Sequence, residues 1–323
     1  MAPRKFFIGV DEAGYGPNLG PLVVAASLWS APENWTELQF SQALQENFAT
    51  LAWRAGCKHV PLGDSKKLYS TSGGLRTLEA GLLTMLELLG QRPDNVRDLL
   101  QRVAQPWLDE LSNVVWYASA QTHSVPCVVA ERVEIERLAQ IAASALGRHE
   151  LHLVDLQAAV ICESHFNRSV KASGSKGELL SRTTLELVVR LLKQSARETE
   201  VFCDRQGGRK NYLPNLLAAM PDQWFSETAV SNARSSYRSS GESLLDIHFS
   251  VGGDSFPPTA LASMLAKYLR ERLMGLLNEF WQRHLPQLKP TAGYPLDARR
   301  FRSEITAIAQ SLQMDEADWW RVK

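Results

Sequence analysis

Two apolar runs, Phe6 to Val10 and Leu22 to Leu28, flank a glycine-rich turn that carries two adjacent carboxylates, Asp11 and Glu12. Each run is rich in Val, Ile and Phe or Leu and is bounded by Gly and Pro, the pattern of a buried strand. A connection this tight joins antiparallel neighbours, so a sheet that also holds parallel strands must be mixed. Consecutive residues of a regular strand point to opposite faces. Asp11 and Glu12 therefore share a site only if the strand ends there and the turn re-aims one of them. Gly14 and Gly16 permit that, and they let a ligand approach the main chain closely. Read alone, an acidic glycine turn also suits a surface hairpin.

The remainder of the chain alternates strand-like and helical stretches, as an α/β layer fold does. Helical spacing runs from about Trp35 to Ala55, Gly74 to Leu89, Val128 to Leu146 and Leu179 to Ala196. Arg92 to Leu111 reads as amphipathic, Val114 to Ala120 as strand-like, Val201 to Asp204 as a short strand ending in a carboxylate, and Ser243 to Val251 as a further strand. Beyond Asp254, Pro257 and Pro258 suit a first helical turn. Leu261, Met264, Leu265, Tyr268, Leu269, Leu276 and Leu277 then repeat at helical spacing and predict a helix packed on a core. The small residues Ala262, Ser263 and Ala266 let it lie close to a sheet. No internal repeat is present.

Several short segments carry chemistry that local structure alone would also explain. Gly63-Asp64-Ser65-Lys66-Lys67-Leu68 reads as a capped helix start, and its two lysines at a helix N-terminus suit a phosphate backbone. Asp254 reads as an N-terminal cap, and Ala292-Gly293-Tyr294-Pro295 as a turn before a helix. Ser231 to Gly241 reads as a Ser/Arg-rich loop whose arginines suit either solvent or phosphate contacts. Arg168 to Gly177 is similarly basic but lacks the spacing of a phosphate-binding loop of nucleotide hydrolases.

Taken in order, these segments resemble the signatures of the type 2 ribonucleases H, that is, ribonuclease HII and the catalytic subunit of the eukaryotic enzyme. Val10-Asp11-Glu12-Ala13-Gly14-Tyr15-Gly16-Pro17 is similar to the first signature, with Tyr15 where arginine is usual. Asp64 to Leu68 resembles the second, with Gly63 for asparagine. Asp204 matches an aspartate at the end of a central strand. Gly253-Asp254 and the helix to Met274 resemble the fourth, with Gly252 where lysine is frequent. Gly293-Tyr294-Pro295 resembles a turn of the archaeal and eukaryotic members. The likeness covers residues 5 to 70 and 200 to 300 and fades between.

This resemblance implies a ribonuclease H-like fold, a mixed five-stranded sheet flanked by helices. It implies one catalytic domain over residues 1–323, with an inserted helical segment at 90–165 and a C-terminal helical extension at 295–323. It further implies that Asp11, Glu12, Asp204 and Asp254 hold two Mg²⁺ or Mn²⁺ ions, and that main-chain groups of Gly14, Tyr15 and Gly16 read a 2′-hydroxyl. Ser65, Lys66 and Lys67 would contact substrate, and Tyr294 would stack on the deoxyribose after the ribonucleotide. The expected activity is hydrolysis of RNA–DNA hybrids and of duplex DNA 5′ of embedded ribonucleotides, in replication and repair. A nucleic-acid-binding protein of the same fold without catalysis, or a nuclease of different specificity, is the alternative.

Composition agrees with this. The chain has 323 residues, 45% of them hydrophobic, enough for a sizeable core. Formal net charge is zero, so any surface for nucleic acid must be local. Cys57, Cys127, Cys162 and Cys203 form no C-x-x-C pair, which argues against a zinc site or a disulfide framework. No stretch approaches the ~18 apolar residues of a membrane span. A cytoplasmic monomer that needs no membrane is the expectation.

Overall fold

The computed structural model describes residues 3–69, 74–127, 132–195, 198–240 and 244–322. Its strands are β1 (Arg4–Ala13), β2 (Leu22–Pro32), β3 (Phe48–Ala49), β4 (Val60–Pro61), β5 (His152–Ile161), β6 (Thr199–Asp204), β7 (Trp224–Val230), β8 (Arg234–Ser240) and β9 (Leu245–Ser250). Its helices are α1 (Glu37–Leu44), α2 (Ser65–Leu68), α3 (Arg76–Leu88), α4 (Val96–Val103), α5 (Leu108–Ser112), α6 (Arg132–Arg148), α7 (Glu163–Ser173), α8 (Lys176–Leu192), α9 (Leu213–Ala219), α10 (Pro257–His284) and α11 (Pro295–Ser311).

Seven strands make one mixed sheet in the order β5-β2-β1-β6-β9-β8-β7, with β1, β6 and β9 parallel and the other pairings antiparallel. Side chains alternate across it. Ile8 and Val10 of β1 join a core with Leu185 and Val188 of α8, whereas Phe7 joins a larger core with Leu261, Leu265 and Leu269 of α10. Every position of the α10 stripe read from the sequence is buried. Among the described residues, no helix is long and apolar enough to cross a membrane, and all four cysteines are free.

The structure corrects several expectations. The sheet has seven strands where five were implied, because the hairpin β7–β8 extends it beyond β9. Half of that hairpin is the segment read as a Ser/Arg-rich loop. Its inward positions Ser235, Tyr237 and Ser239 are buried, and two of the three are small and polar, so the strand period is invisible to a hydrophobicity pattern. Gly241 and Ser243 lie outside the described residues.

The run from Trp35 is helical only over α1, which Thr36 starts with a capping box; Phe48 then enters a short pairing of β3 with β4. Val114 to Ala120 forms no strand. Val115–Tyr117 is a 3₁₀ turn, and Trp116 packs its ring on Phe280 of α10 instead of joining a sheet. In the stretch from Val128, residues 128–131 lie outside the described residues and α6 occupies the rest. Within 90–165, residues His152–Ile161 are strand β5 of the central sheet, paired with β2, so this part of the span set apart as an insertion belongs to the sheet itself.

Candidate functional site

The site forms where two neighbouring parallel strands part. Val10 of β1 stands opposite Cys203 of β6; beyond that pair β1 stays bonded to β2 as far as Ala13 but leaves β6. The strand therefore does not end before Asp11, as the turn glycines suggested. Its departure from β6 opens the space instead, and Asp11, Glu12 and Asp204 border one cleft of about 180 Å³, together with Lys66, Ser263 and Tyr294.

Asp254 arrives from the strand next to β6, in a 3₁₀ turn (Gly253–Ser255) between β9 and α10. The Gly253 N–H donates to Asp204 Oδ1 at 2.9 Å. The start of α10 can approach this closely because Gly9 has no side chain: a Cβ there would lie 2.1 Å from the Pro258 carbonyl carbon. Asp254 itself opens on an adjoining cleft of about 340 Å³ with Asp64 and Lys67.

The electrostatics follow from burial and crowding. Removal from water raises the Asp11 carboxyl to about 7, against a hydrogen bond from Ser263 and with the charges of Asp204 and Asp254 adding to the rise. Burial, then Asp11 and Asp204, hold Glu12 well above the usual carboxylate range, and Lys66 opposes them. Asp204 is raised by burial and by Asp254, against the Gly253 N–H and Lys66. A crowd of buried and half-buried carboxylates with one facing lysine is the donor chemistry that a hard divalent cation balances. The donors fit such an ion in kind, all of them oxygen. Among the described residues, no group of three or more His, Cys, Asp or Glu is arranged to hold a metal ion.

The other expected site residues divide. Ser65 Oγ lies 2.9 Å from Ser263 Oγ, the hydroxyl that reaches Asp11. Lys66 faces the carboxylates, whereas Lys67 is exposed, pairs with Asp64 at 3.8 Å and belongs to the adjoining cleft. The single turn of α2 splits the pair. Tyr294 is 53% exposed at the cleft mouth, and the carbonyl of Gly293 accepts the Asn18 N–H at 2.9 Å, tying its turn to the glycine loop. Gly14 sits at φ +89°, a conformation that favours glycine, and Gly16 is exposed.

Three residues behind that loop carry no sequence signal of their own role. Arg321 is 1% exposed, and its guanidinium donates to the carbonyls of Gly14 at 2.6 Å, Gly20 at 3.3 Å and Tyr15 at 3.3 Å while lying 3.9 Å from the Phe166 ring centroid. Arg270 donates to the carbonyls of Ala292 at 2.9 Å and Leu19 at 3.4 Å. Glu163 is fully buried and accepts the Gly20 N–H at 2.9 Å. The main chain around Asn18 also pairs with the tail, since the Arg321 N–H donates to the Asn18 carbonyl at 2.8 Å.

Burial raises the Glu163 carboxyl to about 7 from an ordinary 4.5, against the nearby charges of Arg321 and Arg270. A carboxyl raised on folding contributes stability that is fully present below 4.5 and lost as pH rises through about 7. Glu163→Gln, which keeps the oxygen facing Gly20, is therefore expected to lose less stability than the wild type between pH 5 and pH 8. Urea midpoints at the two pH values measure this, and equal shifts in both proteins would refute it.

No protein-family model matches the chain, and no curated protein matches its sequence. Among solved structures it is similar to ribonuclease HII of Archaeoglobus fulgidus, solved in a complex with PCNA, at 14% identity and a TM-score of 0.41 over 98% of this chain and 94% of that one. It is likewise similar to ribonuclease H2 of Pyrococcus horikoshii at 13% identity and a TM-score of 0.41, over 97% and 92% of the two chains. Bst ribonuclease HIII, solved with Mn²⁺, matches at 13% identity and a TM-score of 0.40, over 98% of this chain and 65% of that one. Identities this low leave function to be argued from this chain's own residues, on a fold that is a mixed α/β sheet flanked by helices.

Proposed function

We propose that the protein is a divalent-metal-dependent endoribonuclease that cuts the RNA strand of RNA–DNA hybrids and cuts duplex DNA 5′ of embedded ribonucleotides, leaving 3′-hydroxyl and 5′-phosphate ends. The observation that carries this reading is the meeting of Asp11, Glu12 and Asp204 in one cleft beside the Gly14-Tyr15-Gly16 turn, with Asp254 at its border. Those four carboxylates would hold Mg²⁺ or Mn²⁺, which when bound supplies Lewis acidity to the phosphate and an activated water. The chain's own residues do the rest. Lys66 offsets the carboxylate charge, and the main chain of residues 14 to 16 lies bare enough to touch a sugar and read its 2′-hydroxyl. Tyr294 offers an exposed ring to the next sugar, and the Arg270 guanidinium, 5.9 Å from the ring centroid, braces it from behind.

The test is cleavage of a labelled duplex with one embedded ribonucleotide and of a continuous hybrid, in Mg²⁺ and in Mn²⁺. Tyr294→Ala is expected to slow the first about ten- to a hundredfold, as loss of a stacking platform does, and the second much less. Equal losses on both substrates would show the ring to be structural. A second reading, a nucleic-acid-binding protein of this fold without catalysis, is favoured by the tyrosine at position 15. It requires duplex binding with no cleavage in either metal.

A further inference from the structure

Tyr15 does not stand alone at the rim of the cleft. Lys176, the first residue of α8, places its ammonium 4.8 Å from the Tyr15 ring centroid. Among the described residues no carboxylate pairs with it, so its charge is uncommitted. The next residue, Gly177, is bare where other groups converge: a Cβ there would lie 3.6 Å from Arg209 Nη2, 3.6 Å from the Tyr15 hydroxyl and 4.0 Å from Ser175 Oγ. Arg209 is held in place by Glu178 at 3.4 Å and by Asn215. Ser175 Oγ caps α8 by accepting the Glu178 N–H at 3.1 Å, and the Glu178 carboxylate of that first turn is taken up by Arg209 and Asn215.

From this convergence we infer that Lys176, Arg209 and the hydroxyls of Ser175 and Tyr15 form an anion niche that takes a backbone phosphate of the bound nucleic acid. The inference rests on the nucleic-acid part of the proposed function, not on its catalytic part. A lysine acts on phosphate as a point charge, and here an aromatic ring orients it. The chain thus carries on α8 a cation that position 15 lacks. Tyr15 of the niche follows Gly14, which borders the carboxylate cleft, so the two lie on one loop.

Each neutralised phosphate contact contributes about 0.9 to the slope of log affinity against log salt. Binding of a labelled RNA–DNA duplex, measured by anisotropy in EDTA so that no cleavage occurs, is expected to lose about that much slope in Lys176→Ala and to keep it in Lys176→Arg. Gly177→Asp, which puts a carboxylate into the niche and leaves Lys176 in place, is expected to weaken binding at least as much. An unchanged slope in Lys176→Ala overturns the niche even if the wild type cuts the duplex. A reduced slope supports it even if the wild type cuts nothing, so the two proposals fail separately. Heat of binding for inorganic phosphate that vanishes in Lys176→Ala, combined with an unchanged duplex slope, would identify free phosphate as the ligand and overturn the nucleic-acid assignment.

Discussion

Asp204→Asn is expected to bind a single-ribonucleotide duplex nearly as well as the wild type and to cut it about a thousandfold more slowly or less. The substitution keeps the oxygen that accepts the Gly253 N–H, so the join between β6 and the start of α10 survives. What it removes is a charge. A divalent ion stabilises transition-state charge by several kcal/mol, and losing one ligand charge forfeits a share of about 4 kcal/mol, close to three powers of ten in rate. The same charge presses on Asp11 and Glu12 in the absence of an ion, so the variant is also expected to unfold at higher urea without metal. Binding and cleavage on one labelled duplex in Mg²⁺, with urea unfolding in EDTA, test both halves. Near-normal cleavage would remove Asp204 from the metal site.

Arg321→Ala is expected to cost about 3–5 kcal/mol of stability, since each buried carbonyl left without its donor costs about 1–3 kcal/mol. Three carbonyls lose their donor, Phe166 loses the plane packed on it, and Glu163 is left buried with one fewer neighbouring cation. Arg321→Lys retains a charge but not the planar fork, so it should fall between. Urea unfolding measures the difference, and a loss below about 1 kcal/mol would show that the tail merely rests on the loop. If the turn reads a 2′-hydroxyl as proposed, the residual folded protein should also discriminate poorly between ribose and deoxyribose, because that turn is no longer pinned.

What the sequence made legible is local. The two apolar runs became β1 and β2, and the α10 stripe is buried as its spacing required. The meeting of Asp11 with Asp204 comes from parallel pairing of strands whose carboxylates are 193 positions apart (204 minus 11), and no period or cap encodes that. Only the resemblance brought them together. Strand β5 was hidden because Asp155 and Gln157 interrupt its apolar run, yet the two side chains bond to each other at 2.8 Å on the sheet face. Arg321 and Glu163 were invisible because a lone charge in a sequence usually marks a surface, and here both are sealed inside. Lys66 and Lys67 look equivalent on paper, and one helical turn sends them to different clefts.

Arg321 and Gly14 are 307 positions apart, and that separation sets an order of events during synthesis. At about 5–20 residues per second, Gly14 leaves the ribosome about 15 to 60 seconds before the residue that fixes it. Through that interval the carbonyls of Gly14, Tyr15 and Gly20 have no guanidinium to accept from. The turn that follows Glu12 therefore takes its final shape only after translation has passed position 321, whereas Asp11 and Glu12 have been in the chain since its first residues were made.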